Sequence, residues 1–110
     1  MIRHYALDLK DDRELIAEYE EWHRRVWPEV LEHLRRSGIT RCTIHRAGNR
    51  LFMAVESRTG AATDGGGAAL PPRVQEWEEL MDRFQQRLPF AQPGQKWVQL
   101  HTIFDWQADR

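Results

Sequence analysis

The chain has 110 residues, of which 41% are hydrophobic and 30% charged, and its formal net charge is −1. This length fits one domain, 1–110, around a single core. The near-neutral charge excludes the basic surface of a nucleic-acid binder, and no apolar run approaches the roughly 20 residues that span a bilayer. The start, Met1 to His4, is too polar for a signal peptide. A single cysteine, Cys42, excludes an internal disulfide framework, and we expect a cytoplasmic protein.

The first predicted elements are a strand and a helix. Residues 3–9 alternate in polarity, which predicts a strand with one apolar face. Asp11 and Asp12 supply an N-cap and favourable charge for a helix that begins near Arg13. An apolar stripe then recurs at spacings of mostly three and four residues: Leu15, Ile16, Tyr19, His23, Val26 and Trp27.

Pro28 interrupts this helix. It has no N–H to bond to the carbonyl of Arg24, and it biases Trp27 away from helical geometry. We predict a kink or break at this point, with Pro28 in the first turn of a second helical piece that Gly38 ends. The break places the side chain of His23 near backbone carbonyls that lack helical partners.

A hairpin and a loop follow. Residues 39–46 and 51–56 read as two strands joined by a turn at 47–49. The segment 59–72 is rich in glycine and predicts a loop. Its glycines lack the preceding strand and following helix of a phosphate-binding motif, so we assign it no nucleotide role.

The last predicted elements are a helix and a strand. Pro72 opens the helix, and prolines at 89 and 93 stop it. Residues 96–104 alternate with apolar side chains on both faces, which suits a strand covered on both sides, for example by a second subunit. The apolar stripe of the helix is Val74, Trp77, Leu80, Met81, Phe84 and Leu88.

The predicted element order is βαββαβ, which indicates an α+β, ferredoxin-like sheet with two helices on one face. The other face would carry exposed aromatic side chains. Because such a patch is usually covered, we expect a homodimer with sheet packed against sheet.

Three aromatic side chains on the first helix form a candidate site. Tyr19, His23 and Trp27 are four residues apart, and on a helix they would share one stripe. They could be core, or they could form one wall of a pocket with a hydrogen-bond donor, a proton shuttle and an apolar plate. Histidine suits proton transfer near neutral pH.

Other constellations are weaker. The five histidines are scattered, and no pair has the spacing of a helical metal site, so we expect no metal. A reaction that consists only of proton transfer would need no cofactor either, and we expect none. Cys42 has no paired histidine motif and reads as a small buried residue rather than a nucleophile.

Taken together, these segments resemble the L-rhamnose mutarotase family. The most specific part is a Tyr-x-x-x-His-x-x-x-Trp-Pro-Glu core, which spans residues 19–29. The resemblance covers nearly the whole chain, in order and with similar spacing. The supporting pieces are Met1-Ile2-Arg3, the Asn49-Arg50-Leu51-Phe52 hairpin, Gln75-Glu76-Trp77 with Met81, and a closing strand that ends near Phe104.

The resemblance implies a dimeric α/β barrel of ferredoxin-like subunits and assigns roles to particular residues. His23 matches the catalytic histidine, thought to act as proton donor, and Tyr19 matches a tyrosine that contacts the sugar. Trp77 matches the first of two consecutive sugar-binding tryptophans. This chain departs from the family at Glu78, where the second tryptophan stands, and at Cys42, where a substrate-contacting tyrosine stands.

The expected function is therefore mutarotation of a 6-deoxy-L-hexose, in the first place L-rhamnose. Because Glu78 and Cys42 alter the pocket walls, L-fucose is a serious alternative. Two other classes stay open: a dimeric ferredoxin-like oxygenase or haem binder, since fold does not fix function, and a non-catalytic sugar-binding module.

Overall fold

A computed structural model describes residues 1–58 and 70–109. These residues form an antiparallel sheet with three helices, so the predicted α+β class is confirmed. None of the helices in the described ranges is long and apolar enough to cross a membrane. The elements are β1 (Ile2–Leu9), α1 (Arg13–Trp22), α2 (Pro28–Arg36), β2 (Ile39–Ala47), β3 (Arg50–Ser57), α3 (Pro72–Asp82), β4 (Gln85–Gln86) and β5 (Val98–Gln99).

The sheet has the strand order β2-β3-β1-β4, and β5 also pairs with β1. The predicted hairpin is confirmed as β2 and β3, which turn at Gly48 with a φ of 61°, a left-handed conformation that glycine adopts without strain. Tyr5 pairs with Met53, and Met53 pairs with Ile44. Paired residues point to the same face, so these three side chains share the side of the sheet that carries the helices.

The two-helix prediction around Pro28 is confirmed, with one correction. Asp12 caps α1 by accepting hydrogen bonds from Glu14 N and Leu15 N at 3.0 and 3.1 Å. Pro28 begins α2, as expected where a missing N–H costs nothing. The correction concerns Trp27: α1 already ends at Trp22, so Trp27 is the N-cap of α2 and does not continue the helical stripe. The chain leaves helical geometry a full turn before the proline.

The helix predicted from Pro72 is confirmed at its start and wrong at its end. α3 stops at Asp82, and Phe84 and Leu88 are buried without being helical. After Arg83 the chain turns and forms β4, which pairs with the end of β1, and Lys10 N donates to Phe84 O at 2.8 Å. Apolar spacing alone does not distinguish a helix that continues through Phe84 from a helix that ends and is followed by a turn and a strand. A glycine-rich loop is predicted over 59–72, and residues 59–69 of it lie outside the described residues.

The closing strand is much shorter than predicted. Only Val98–Gln99 is a strand, and one further backbone bond joins Leu100 N to His4 O at 2.7 Å. The predicted strand needed apolar cover on both faces, and the residues that the structure describes provide none beyond Leu100. Ile103 is 90% exposed and Phe104 81%.

The core lies between the helices and one face of the sheet. One cluster of buried residues joins β1, α1, α2, β3 and α3, and Phe84 is fully buried within it. A second, smaller cluster surrounds Tyr5. The half-buried Trp97 packs against both clusters, and together they frame a cavity. The first cluster contains Leu9, Tyr19, Val30, Leu51, Trp77, Met81 and Phe84.

Candidate active site

A cavity of about 740 Å³ opens between the helices and the sheet. Five of the six residues predicted for the site line it, and the structure therefore brings them together: Tyr19, His23, Cys42, Trp77 and Glu78. Exposed side chains such as Arg24 and Arg46 lie at its edge, so solvent and a small polar ligand can enter. The remaining lining side chains are Glu20, Val26, Val30, Leu31, Leu34, Ile44, His45, Leu51, Met53, Met81, Gln85 and Trp97.

His23 is held at the end of α1 by a backbone carbonyl. It is the C-cap residue, and its own N–H bonds to Glu20 O at 3.1 Å. The carbonyl oxygen of Tyr19 lies 2.8 Å from His23 Nδ1. A carbonyl only accepts, so Nδ1 carries a proton and donates it. Nε2 is therefore the ring nitrogen left for proton exchange, and the predicted proximity of His23 to free carbonyls is confirmed.

Tyr19 lies beside this imidazole and is 3% exposed. The two ring centroids are 4.4 Å apart. Burial raises the pKa of the Tyr19 phenol to about 12, and the Glu78 carboxylate adds to the rise, while a hydrogen bond from Gln85 opposes it. The phenol therefore keeps its proton at neutral pH and can act as a hydrogen-bond donor.

Trp77 forms the aromatic wall of the cavity. Its indole is buried, and it meets the His23 ring edge to face, with centroids 5.6 Å apart. This contact adds to the backbone hydrogen bond in restricting the orientation of the imidazole. Trp27 packs behind Trp77 at 5.2 Å, with the guanidinium of Arg73 3.9 Å from its ring centroid. Trp27 is thus a supporting residue and does not line the cavity, contrary to the predicted three-residue stripe.

Glu78 enters the cavity from α3 as half of an ion pair. Its carboxylate lies 2.9 Å from Lys96 Nζ, and the same ammonium lies 2.8 Å from Asp82. The side chain of Lys96 is 15% exposed, so the carboxylates compensate its partly buried charge. Lys96 in turn restricts where the Glu78 carboxylate can point.

Cys42 lies on β2 at the opposite side of the cavity. Its thiol is free and half-buried, and burial raises its pKa. It therefore stays protonated at neutral pH, which supports a small wall residue rather than a nucleophile.

Sequence reasoning missed Gln85, Lys96 and Trp97, which contribute to the cavity or to its ion pair. The apolar stripe that continues to Leu88 predicts Gln85 within a helix, and the alternation of 96–104 places Lys96 at the start of a strand without a recognisable partner. Nothing in the sequence indicated their contacts, because each depends on how the segment after α3 folds back onto β1.

Comparison with known proteins assigns the chain to a family. The model of the L-rhamnose mutarotase family matches residues 4–106, nearly the whole chain. The chain belongs to the L-rhamnose mutarotase family. The predicted resemblance is thereby confirmed, and the protein is of the mutarotase class of isomerases, which interconvert sugar anomers.

Relatives and a solved structure support this assignment. An L-fucose mutarotase from Xanthomonas campestris pv. campestris is 46% identical over 108 residues, covering 91% of this chain and 83% of the relative. A UPF0734 protein from Dictyostelium discoideum is 38% identical over 106 residues, covering 91% and 85%. The crystal structure of an L-rhamnose mutarotase from Formosa agariphila matches with a TM-score of 0.70 and 19% identity, over 97% of this chain and 99% of that one. The structural match supports the fold.

Proposed function

We propose that this mutarotase acts on a 6-deoxy-L-hexose and that His23 and Tyr19 are its catalytic residues. The observation that carries the proposal is the pair of rings 4.4 Å apart on the cavity wall, with His23 Nδ1 bound to the backbone. The second ring nitrogen, Nε2, has no hydrogen-bond partner among the described residues, and the neighbouring phenol retains its proton. This pair suits a reaction that needs only proton transfer.

The assigned steps follow from the chemistry of ring opening. The step starts from the imidazolium form of His23, which carries a proton on both ring nitrogens. The bond between the anomeric carbon and the ring oxygen breaks, and Nε2 gives its proton to the ring oxygen, which leaves a neutral imidazole. The proton of the anomeric hydroxyl passes to water in the open cavity. The resulting aldehyde rotates about its bond to the neighbouring carbon. The reverse transfers close the ring on either face, and the proton returns to His23. Tyr19 donates a hydrogen bond to a sugar oxygen throughout.

The walls suit a 6-deoxy sugar. Trp77 offers a flat apolar surface for ring C–H groups, and Leu34, Ile44 and Met53 offer contacts for a methyl group. L-Rhamnose and L-fucose differ in configuration at carbons 2 and 4. We place L-fucose first among the two, because the 46% identical relative is named an L-fucose mutarotase. The Glu78 carboxylate, held by Lys96, is the group we propose to read that difference, with Cys42 leaving room opposite.

Saturation-transfer NMR on both sugars tests this function. Wild-type protein is expected to accelerate exchange between anomers, and His23→Ala is expected to reduce the rate at least about 100-fold. His33→Ala is a matched control, because that histidine lies on α2 and does not line the cavity. If neither sugar exchanges faster with wild-type protein, the proposal is wrong. Binding without faster exchange would instead support a sugar-binding module.

We further propose a homodimer of ferredoxin-like subunits that forms an α/β barrel, located in the cytoplasm. The strand order with helices on one face fits that fold. Ile2 and Phe52 point to the opposite face and are exposed. A second copy packed against this face would bury both side chains. The C-terminal segment adds three more exposed apolar side chains, Ile103, Phe104 and Trp106. Sedimentation analysis of wild type and Phe52→Glu tests the assembly, since a charged residue there should favour monomers. A monomeric wild type would exclude it.

A further inference from the structure

The side chain of Gln85 contains a hydrogen-bond acceptor that has no partner among the described residues. It is the first residue of β4, and its backbone pairs with Leu9 at the end of β1. Its side chain lines the cavity. Nε2 lies 3.4 Å from the hydroxyl oxygen of Tyr19, and Oε1 is buried without a hydrogen-bond partner among the described residues.

A buried carbonyl oxygen without a partner destabilises a folded protein, and such groups usually have a reason to persist. Gln85 lines the cavity next to the phenol assigned to catalysis, and its Oε1 is covered by protein in the absence of a ligand. A small shift of this side chain on sugar binding would expose Oε1 to a sugar hydroxyl, which would supply the missing donor. The tyrosine's own hydroxyl cannot satisfy it while accepting from the same amide.

The amide also fixes the direction of the phenol proton. Nε2 can only donate, so the hydroxyl oxygen of Tyr19 accepts from it, and the phenol hydrogen must point elsewhere. The wall then presents a donor from Tyr19 and an acceptor from Gln85 side by side. A sugar hydroxyl both donates and accepts, so one hydroxyl can use both groups.

We propose that Gln85 is a substrate-binding residue of this mutarotase: its Oε1 accepts from one sugar hydroxyl, and its amide directs the Tyr19 proton to the same hydroxyl. This inference rests on the proposed function of the cavity and adds a specific contact to it. It concerns a residue outside the Tyr-x-x-x-His core.

The test compares wild type with Gln85→Met, which has nearly the same shape and no amide. Exchange rates are measured by NMR against concentration of L-fucose and L-rhamnose, and then with the monodeoxy analogues of the faster sugar. We expect Gln85→Met to raise KM about tenfold for the parent sugar. For the one analogue that lacks the recognised hydroxyl, wild type and variant should have the same KM.

Two further variants complete the test. Gln86→Met is the matched control. Gln86 is the exposed neighbour of Gln85 in β4, and its side chain points to the other face of the sheet, away from the cavity. Gln85→Glu should also raise KM, since a carboxylate accepts the Tyr19 proton and turns it away from the sugar. It keeps a polar group at this position if the methionine variant folds poorly, which circular dichroism would show.

The outcomes separate this inference from the function on which it rests. An unchanged KM in both Gln85 variants overturns the inference while leaving the mutarotase proposal intact. The inference is also overturned if the Gln85 variants raise KM by the same factor for the parent sugar and for every analogue, because that result would indicate a structural role only. If wild type binds a sugar without accelerating exchange, the mutarotase proposal is wrong. The same comparison of variants and analogues, made on Kd, then decides the role of Gln85 in binding. If it neither binds nor accelerates, both proposals are wrong.

Discussion

Replacing Tyr19 by phenylalanine should change how the stability of the protein depends on pH. The phenol is almost completely buried, and burial raises its pKa from 10.0 to about 12. Folding therefore favours the neutral form. The corresponding stability is fully present below the unfolded pKa of 10.0 and is lost as the pH rises through about 12 in the folded state.

The magnitude follows from the two pKa values. Around pH 11 the unfolded phenol is mostly ionised and the folded one mostly neutral, so wild type should lose about 1.4 kcal/mol relative to about pH 9 through this group alone. Well above pH 12 the loss would approach about 3 kcal/mol. The phenylalanine variant lacks this contribution at every pH.

The measurement is the free energy of unfolding by urea, for both proteins, at about pH 9 and about pH 11. All other ionisations are shared, so they cancel when the pH-dependent loss of the variant is subtracted from that of wild type. A difference of about 1 kcal/mol or more supports a buried neutral phenol. Equal losses in the two proteins would refute it, and with it the assignment of Tyr19 as a hydrogen-bond donor in the cavity.

Three other substitutions test parts of the structure. Lys96→Met should release Glu78 and raise the sugar KM several-fold with little change in kcat, whereas Lys96→Arg should retain most of the affinity; steady-state NMR exchange rates check this. Asp12→Ala should cost about 1 kcal/mol in urea unfolding because two N–H groups lose their acceptor, while Asp11→Ala, which does not cap, should cost little. Phe84→Ala should cost about 3–5 kcal/mol, against less than about 0.5 for the exposed Phe90→Ala, and similar losses would contradict the described core.

The sequence predicted those features correctly whose structure is decided by local chemistry. The cap at Asp12, the proline start of α2, the turn at Gly48 and the start of α3 at Pro72 each depend on one or two residues and their neighbours. The clustering of Tyr19 and His23 also followed from helical spacing. These features needed no knowledge of distant contacts.

The predictions failed where two conformations share one apolar pattern. Phe84 fits a helical stripe, yet it is equally well buried by a turn that lets Gln85 pair with β1. Trp27 fits a stripe with His23, yet the helix ends before both. Residues 100–104 alternate like a strand, yet no part of the chain described by the structure covers them. Tertiary contacts decide each case, and the polar lining from Gln85 and Lys96 depends on the same contacts.

The way His23 is held has a consequence for how this enzyme can change over evolutionary time. Its tautomer is set by a main-chain oxygen that every residue type possesses, so no side-chain replacement elsewhere can remove that anchor. The proposed recognition surface, by contrast, consists of side chains on α3, β2 and β4 that can be exchanged one at a time. Under this proposal, substitutions in the cavity walls would let the enzyme accept new sugars while His23, the proposed proton-transfer group, keeps its orientation.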